Sequence, residues 1–116
     1  MTVKIKRIYD PVSKADGVRI LVDRLWPRGV SKNKAKVDRW LRDIAPSAEL
    51  RRWFGHEPDK WDEFRRRYFA ELDDNELLVA DIQDAAATGV VTLLFSARDV
   101  RFNNAAALRD YLIDIQ

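Results

Sequence analysis

Six residues, "VVTLLF" at Val90 to Phe95, constrain this chain more than any others. The run lacks polar alternation, begins after Gly89 and ends at Ser96. It is far shorter than the roughly 20 apolar residues of a membrane helix. A strand of this kind is buried on both faces, which is the habit of parallel sheets. "VRILVDRLW" opens with the same Val, Ile and Leu enrichment and is expected as a second, central strand. "VKIKRIYD" alternates Val3, Ile5 and Ile8 with basic residues, imperfectly, and reads as a first strand. "PVSKADG" after it has the composition of a connecting loop.

Helical periodicity fills the rest. Val37, Trp40, Leu41 and Ile44 stand at i, i+3, i+4 and i+7, which predicts a helix from about Asn33 to Ile44, stopped by Pro46. Ser47 caps a short helix with Leu50, Trp53 and Phe54, terminated by Gly55. Pro58 suits the first turn of a helix whose apolar face is Trp61, Phe64, Tyr68 and Leu72. "DDNELLVADIQDAAATG" supplies a further helix, with Leu78, Ile82 and Ala85 inward and Gly89 beyond its end. Asn103 caps the last, with Leu108, Tyr111, Leu112 and Ile115 in register. The expected fold is a single α/β domain over residues 1–116, a largely parallel three- to four-stranded sheet flanked by about five helices. A chain of this length buries roughly two thirds of its unfolded surface.

Several chemistries are excluded by composition. No cysteine is present, so there is no disulfide, thiolate metal site or cysteine nucleophile. With His56 as the single histidine, a metal would need hard oxygen ligands, and neither Asp73–Asp74 nor any other stretch has the EF-hand pattern; no metal site is expected. The P-loop, G-x-S-x-G and G-x-G-x-x-G signatures are absent. "MTVKIKR" lacks an apolar leader region, so the expectation is a cytoplasmic protein without a membrane anchor. Charge is unevenly spread: residues 1–56 hold 14 Lys/Arg against 6 Asp/Glu, and residues 57–116 hold 7 against 13. Such a split marks either a basic face that attracts anions or two halves that neutralise each other in the fold.

In open α/β sheets, ligands lie beyond the carboxyl ends of the strands. Two strand ends here concentrate polar groups: Asp23, Arg24, Trp26, Pro27, Arg28 and Gly29 after the second strand, and Ser96, Arg98, Asp99, Asn103 and Asn104 after the third. Arginine presents a fixed fork of donors matched to carboxylate or phosphate, and a helix start adds backbone N–H groups. Arg24, Arg28, Ser96, Arg98, Asn103 and Asn104 are therefore the candidate ligand-binding residues. His56 and Asp23 are the candidate proton carriers, with Asp99 and Glu57 as possible partners. The plainer alternatives are a salt bridge from Asp23 to Arg24 or Arg98, a core role for Trp26, and a helix cap for Asn103. Lys32, Lys36 and Arg39, with Arg65, Arg66 and Arg67, suggest phosphate contacts along a nucleic acid. Asp38, Asp43, Asp62 and Glu63 interrupt both runs, which reads better as a solvated face.

The segments "RIYDP", "VRILVDRLWPRG", "WLRDIAPSAELRRWFGHEPDKWDEFRRRY" and "VTLLFSARDVRFNNAAAL" resemble the YeaO-like proteins, a short bacterial branch of domain of unknown function family 488. The resemblance runs from Arg7 to Leu112. It implies a compact α/β fold in a bacterial cytosolic protein, without an assigned reaction, substrate or cofactor. The matching motif positions are Asp23, Arg24, Trp26, Pro27, Arg28 and Gly29, then Trp53, Phe54, Gly55 and His56, then Ser96, Arg98, Asn103 and Asn104. "VRFNN" departs from the acidic-plus-histidine form of relatives, so no histidine role carries over to that loop.

Three readings follow. In the first, an anionic small molecule bearing phosphate or carboxylate occupies the strand ends, with or without catalysis. In the second, the chain is a non-enzymatic module for nucleic acid or an acidic protein. In the third, the arginines form buried ion pairs that hold the fold.

Overall fold

The computed structural model describes residues 1–115. Four parallel strands form one sheet: β1 (Thr2–Arg7), β2 (Val18–Leu21), β3 (Arg39–Trp40) and β4 (Val90–Phe95), in the spatial order β1-β4-β2-β3. Among the described residues five α-helices accompany them: α1 (Lys32–Ala35), α2 (Ala48–Phe54), α3 (Trp61–Asp73), α4 (Glu76–Thr88) and α5 (Asn104–Asp114). The expected α/β class, parallel sheet and helix number are all present. Val91 to Phe95 are buried, as their unbroken apolar run requires. Among the described residues no helix is long and apolar enough to cross a membrane.

The two-residue period of the strands divides the core. Ile20, Val22, Val91, Leu93 and Phe95 join the larger cluster, packed with Phe54 of α2, Phe64, Tyr68 and Leu72 of α3, Ile82 of α4, and Leu108 and Leu112 of α5. Leu21, Leu94 and Ile8 point the other way. They form a smaller cluster with Ala35, against which Trp26, Val30, Val37 and Trp40 pack. One face of the sheet therefore carries the long helices, while the segment between β2 and β3 covers the other.

The helix expected from about Asn33 to Ile44 does not form. It stops at Ala35, and Lys36 takes a left-handed conformation with φ 51°. The chain then hydrogen-bonds onto β2, through Asp38 N–H to the Arg19 carbonyl at 2.9 Å and Leu41 N–H to the Leu21 carbonyl at 3.0 Å. Arg39 and Trp40 become the edge strand, and Arg42–Ile44 a single 3-10 turn. The proposed basic stripe of Lys32, Lys36 and Arg39 is dissolved by the same turn. The arginines of α3 are paired: Arg66 and Arg67 with Glu63, and Arg65 with Asp110. Ile115 lies past the end of α5 and is exposed, so it leaves the expected register.

At the amino ends of the strands lies a buried polar cluster that no motif announced. Arg19 is only 3% exposed. Its guanidinium donates to Asp16 at 2.6 Å and to the Ala35 carbonyl at 2.8 Å, closing the end of α1. Lys6 reaches the same carboxylate at 3.0 Å. Thr92 Oγ1 donates to the Asp16 carbonyl, tying this turn to β4. The turn comes so close to β4 that Gly17, at φ +64°, has no room for a side chain.

Candidate functional site

The carboxyl ends of β2 and β4 are neighbours, and their chains leave in different directions: one toward β3, the other into α5, which packs on β1 and β4. Departures of this kind open a crevice between strand ends. Here it is a cleft of about 390 Å³, lined by Asp23 to Arg28, Ala45, Pro46, Arg51, Phe54, His56, Phe64, Ser96, Ala97, Asn103 and Asn104.

Asp23 holds the two strand ends together. One carboxylate oxygen accepts from the Ser96 N–H at 2.9 Å and the Ser96 hydroxyl at 2.7 Å. The other accepts from the Asn104 amide at 3.1 Å, and that amide also donates to the Val22 carbonyl. The Asp23 carbonyl accepts from Trp40 Nε1 at 2.8 Å, which draws in the edge strand. Its partners are thus neutral donors, not Arg24 or Arg98. Asn103 caps α5 by accepting from Ala106 N–H at 2.8 Å, and its amide donates to the Asp99 carbonyl. Asp99 in turn accepts from the N–H groups of Arg101 and Phe102. Those bonds, with the nearby charges of Arg101 and His56, hold its carboxyl below the ordinary value.

The wall made by Ala45 and Pro46 is fixed from behind. Ser47 caps α2 through Leu50 N–H, while Glu71 of α3 accepts from both the N–H and the hydroxyl of Ser47. Tyr68 donates to the Ile44 carbonyl at 2.6 Å. Burial pushes its hydroxyl well above the usual phenol range, and the charges of Glu71 and Asp23 add to the shift. Phe54 and Phe64 stack at 4.4 Å between ring centroids.

Against this frame the cationic groups are loosely held. Arg24 faces the carbonyls of Ala45 and Pro46 at 3.4 and 3.5 Å, and Asp43 at 3.9 Å. Its Nε is shielded from water and has no partner among the described residues. Arg28 is exposed on a turn that Gly29 permits at φ +74°, and its carbonyl is tethered by the Tyr9 hydroxyl at 3.1 Å. Arg51 is exposed on α2. His56 follows Gly55 in the left-handed region, at φ 57°, with its ring 6.1 Å from that of Phe54.

Asp23, Arg24, Arg28, Ser96, Asn103 and Asn104 from the two strand ends line one cleft, and His56 joins them from the turn after α2. Arg98 does not: it is exposed and stands outside the cleft lining. Arg51 was missed. Its signal was its place three residues before Phe54, which puts both on one side of a Ser47-capped helix.

A histidine in left-handed backbone carries a conformational cost that glycine does not. His56→Gly should raise stability by about 1 kcal/mol in a denaturant titration. Unchanged or lower stability would mean that the imidazole makes compensating contacts.

The chain matches the family described as the inactive DUF488-N3 subclade over residues 2–115. It is 44% identical over 112 residues to the uncharacterized protein YeaO of Escherichia coli K12, covering 97% of each chain. It is 41% identical over 110 residues to the uncharacterized protein Rv3073c of Mycobacterium tuberculosis H37Rv, covering 95% of this chain and 92% of that one. No solved structure matches. A full-length family match and relatives of this identity, on a parallel α/β domain with its polar strand ends converged, lead to one statement of kinship: the chain belongs to the DUF488 family, in its inactive N3 subclade.

Proposed function

We propose that the cleft binds a small anion, phosphate or carboxylate, and that the protein acts through binding and not turnover. The observation that carries this reading is Arg24. A guanidinium with one shielded, unpartnered N–H, long contacts to two carbonyls and a loose ion pair to the exposed Asp43 is an under-satisfied charge, and such groups favour an anionic partner. Arg28, Arg51 and His56 line the same cleft and would add to the attraction. In this reading Asp23 positions the loops, because three donors already occupy its carboxylate. His56 then contributes shape and a hydrogen-bonding ring to the cleft wall. The description of the family as inactive also favours binding without chemistry.

The test is a thermal-shift and calorimetric titration with inorganic phosphate and acetate at moderate salt. Arg24→Gln should weaken the preferred anion at least about ten-fold, the loss of a charge-assisted hydrogen bond of roughly 1.5–3 kcal/mol. An Arg24→Gln protein that binds as the parent does would overturn the site assignment. Consumption of a bound phosphate ester would overturn the non-catalytic half.

A further inference from the structure

We infer that the occupant of the cleft is an anion with a compact apolar or aromatic body, not a bare inorganic ion. This rests on the anion-binding reading and names the class of ligand within it. The carrying observation is Leu25, which lines the cleft beside Arg24 and is 70% exposed. A lone exposed leucine is ordinary on a convex surface. This one lines the cleft beside Trp26, itself only partly buried, so apolar surface is left uncovered next to Arg24, whose Nε has no partner among the described residues.

Size points the same way. The volume of about 390 Å³ lies within the range of sites for organic ligands, roughly 300–1,000 Å³, and far exceeds what phosphate or acetate alone would fill. Such sites set placed polar groups among apolar walls, and here the two kinds share the lining about equally. An anionic head on Arg24 and its neighbours leaves the body of the ligand over Leu25 and Trp26. Removing that apolar area from water gives affinity that an inorganic ion cannot gain.

The probes are two pairs, inorganic phosphate with phenyl phosphate, and acetate with phenylacetate, titrated into parent, Leu25→Ser and Arg24→Gln proteins. The pairs separate a phosphate head from a carboxylate head. Within the pair that binds, the aryl compound should be tighter by about ten- to fifty-fold, the yield of burying a phenyl body. Leu25→Ser should reduce that advantage several-fold and leave the inorganic ion or acetate within about two-fold, whereas Arg24→Gln weakens both members. Leu25 is exposed, so its variant should melt with the parent, which a circular dichroism scan verifies. Equal affinities within the pair, or a Leu25→Ser effect on both members alike, would overturn the inference and leave the anion site standing. If no probe binds the parent, the anion reading falls and takes the inference with it.

Discussion

Gly17→Ala should destabilise the protein by about 3–5 kcal/mol, lowering Tm by more than about 10 °C. Two costs coincide at this residue. Its backbone, at φ 64° and ψ −136°, lies where residues with a β-carbon are strained. A β-carbon there would also meet the Val90 carbonyl carbon at 2.7 Å, at the start of β4. Neither side can yield cheaply, because both are backbone, and the turn is bound to β4 by the hydrogen bond from Thr92 to Asp16. Gly29 supplies the control. It too has a positive φ, 74°, yet nothing stands within 4 Å of the place a β-carbon would take. Gly29→Ala should therefore cost only about 1–2 kcal/mol. Chemical denaturation of the two variants measures the difference; equal losses would mean that the close approach of turn and strand is not rigid.

Arg19→Met should cost about 3–5 kcal/mol, the usual result of leaving half of a buried ion pair behind. The loss extends beyond Asp16, since the carbonyls of Ala35 and Lys36 lose their donor as well. A compensating Asp16→Leu change should recover only part of the stability, because those carbonyls stay unpaired. Full recovery would show that the pair with Asp16 is all that matters. The pH dependence has a definite sign. Burial by itself raises the Asp16 carboxyl, but the Ser13 N–H, Lys6 and Arg19 outweigh it and hold the group below its ordinary value of 3.8. A depressed carboxyl contributes stability above its unfolded pKa and loses it as pH falls through the folded value. Asp16→Asn should then be less stable than the parent at neutral pH, with the gap narrowing only below about pH 3.8. A gap already closed at pH 6 would refute the assignment.

The apolar run at Val90 to Phe95 was enough to announce the parallel sheet, and the caps at Ser47, Gly55 and Asn103 were readable because each uses a local, sequence-encoded bond. β3 was not readable. Val37, Trp40, Leu41 and Ile44 have helical spacing, yet Val37 and Trp40 pack in the small cluster and Leu41 and Ile44 in the large one, on opposite faces of the sheet. A two-residue strand is too short to show alternation, and the bonds that create it come from β2, about twenty positions earlier. A polar site beyond the strand ends followed from the general behaviour of α/β sheets. The role of Asp23 did not, because its partners Ser96 and Asn104 lie 73 and 81 residues away. The buried arginine required by the structural reading was likewise Arg19, inside a strand, and not Arg98 at a polar end.

Trp26 belongs to two places at once: it lines the cleft, and it packs against the small cluster of Ile8, Leu21, Ala35 and Leu94 behind the sheet. The lip of the cleft is thus also the cover of the second core. On the proposed reading, an occupant resting on that lip would lean on the same segment that seals the back of the protein, and by binding only the folded chain it would stabilise both together.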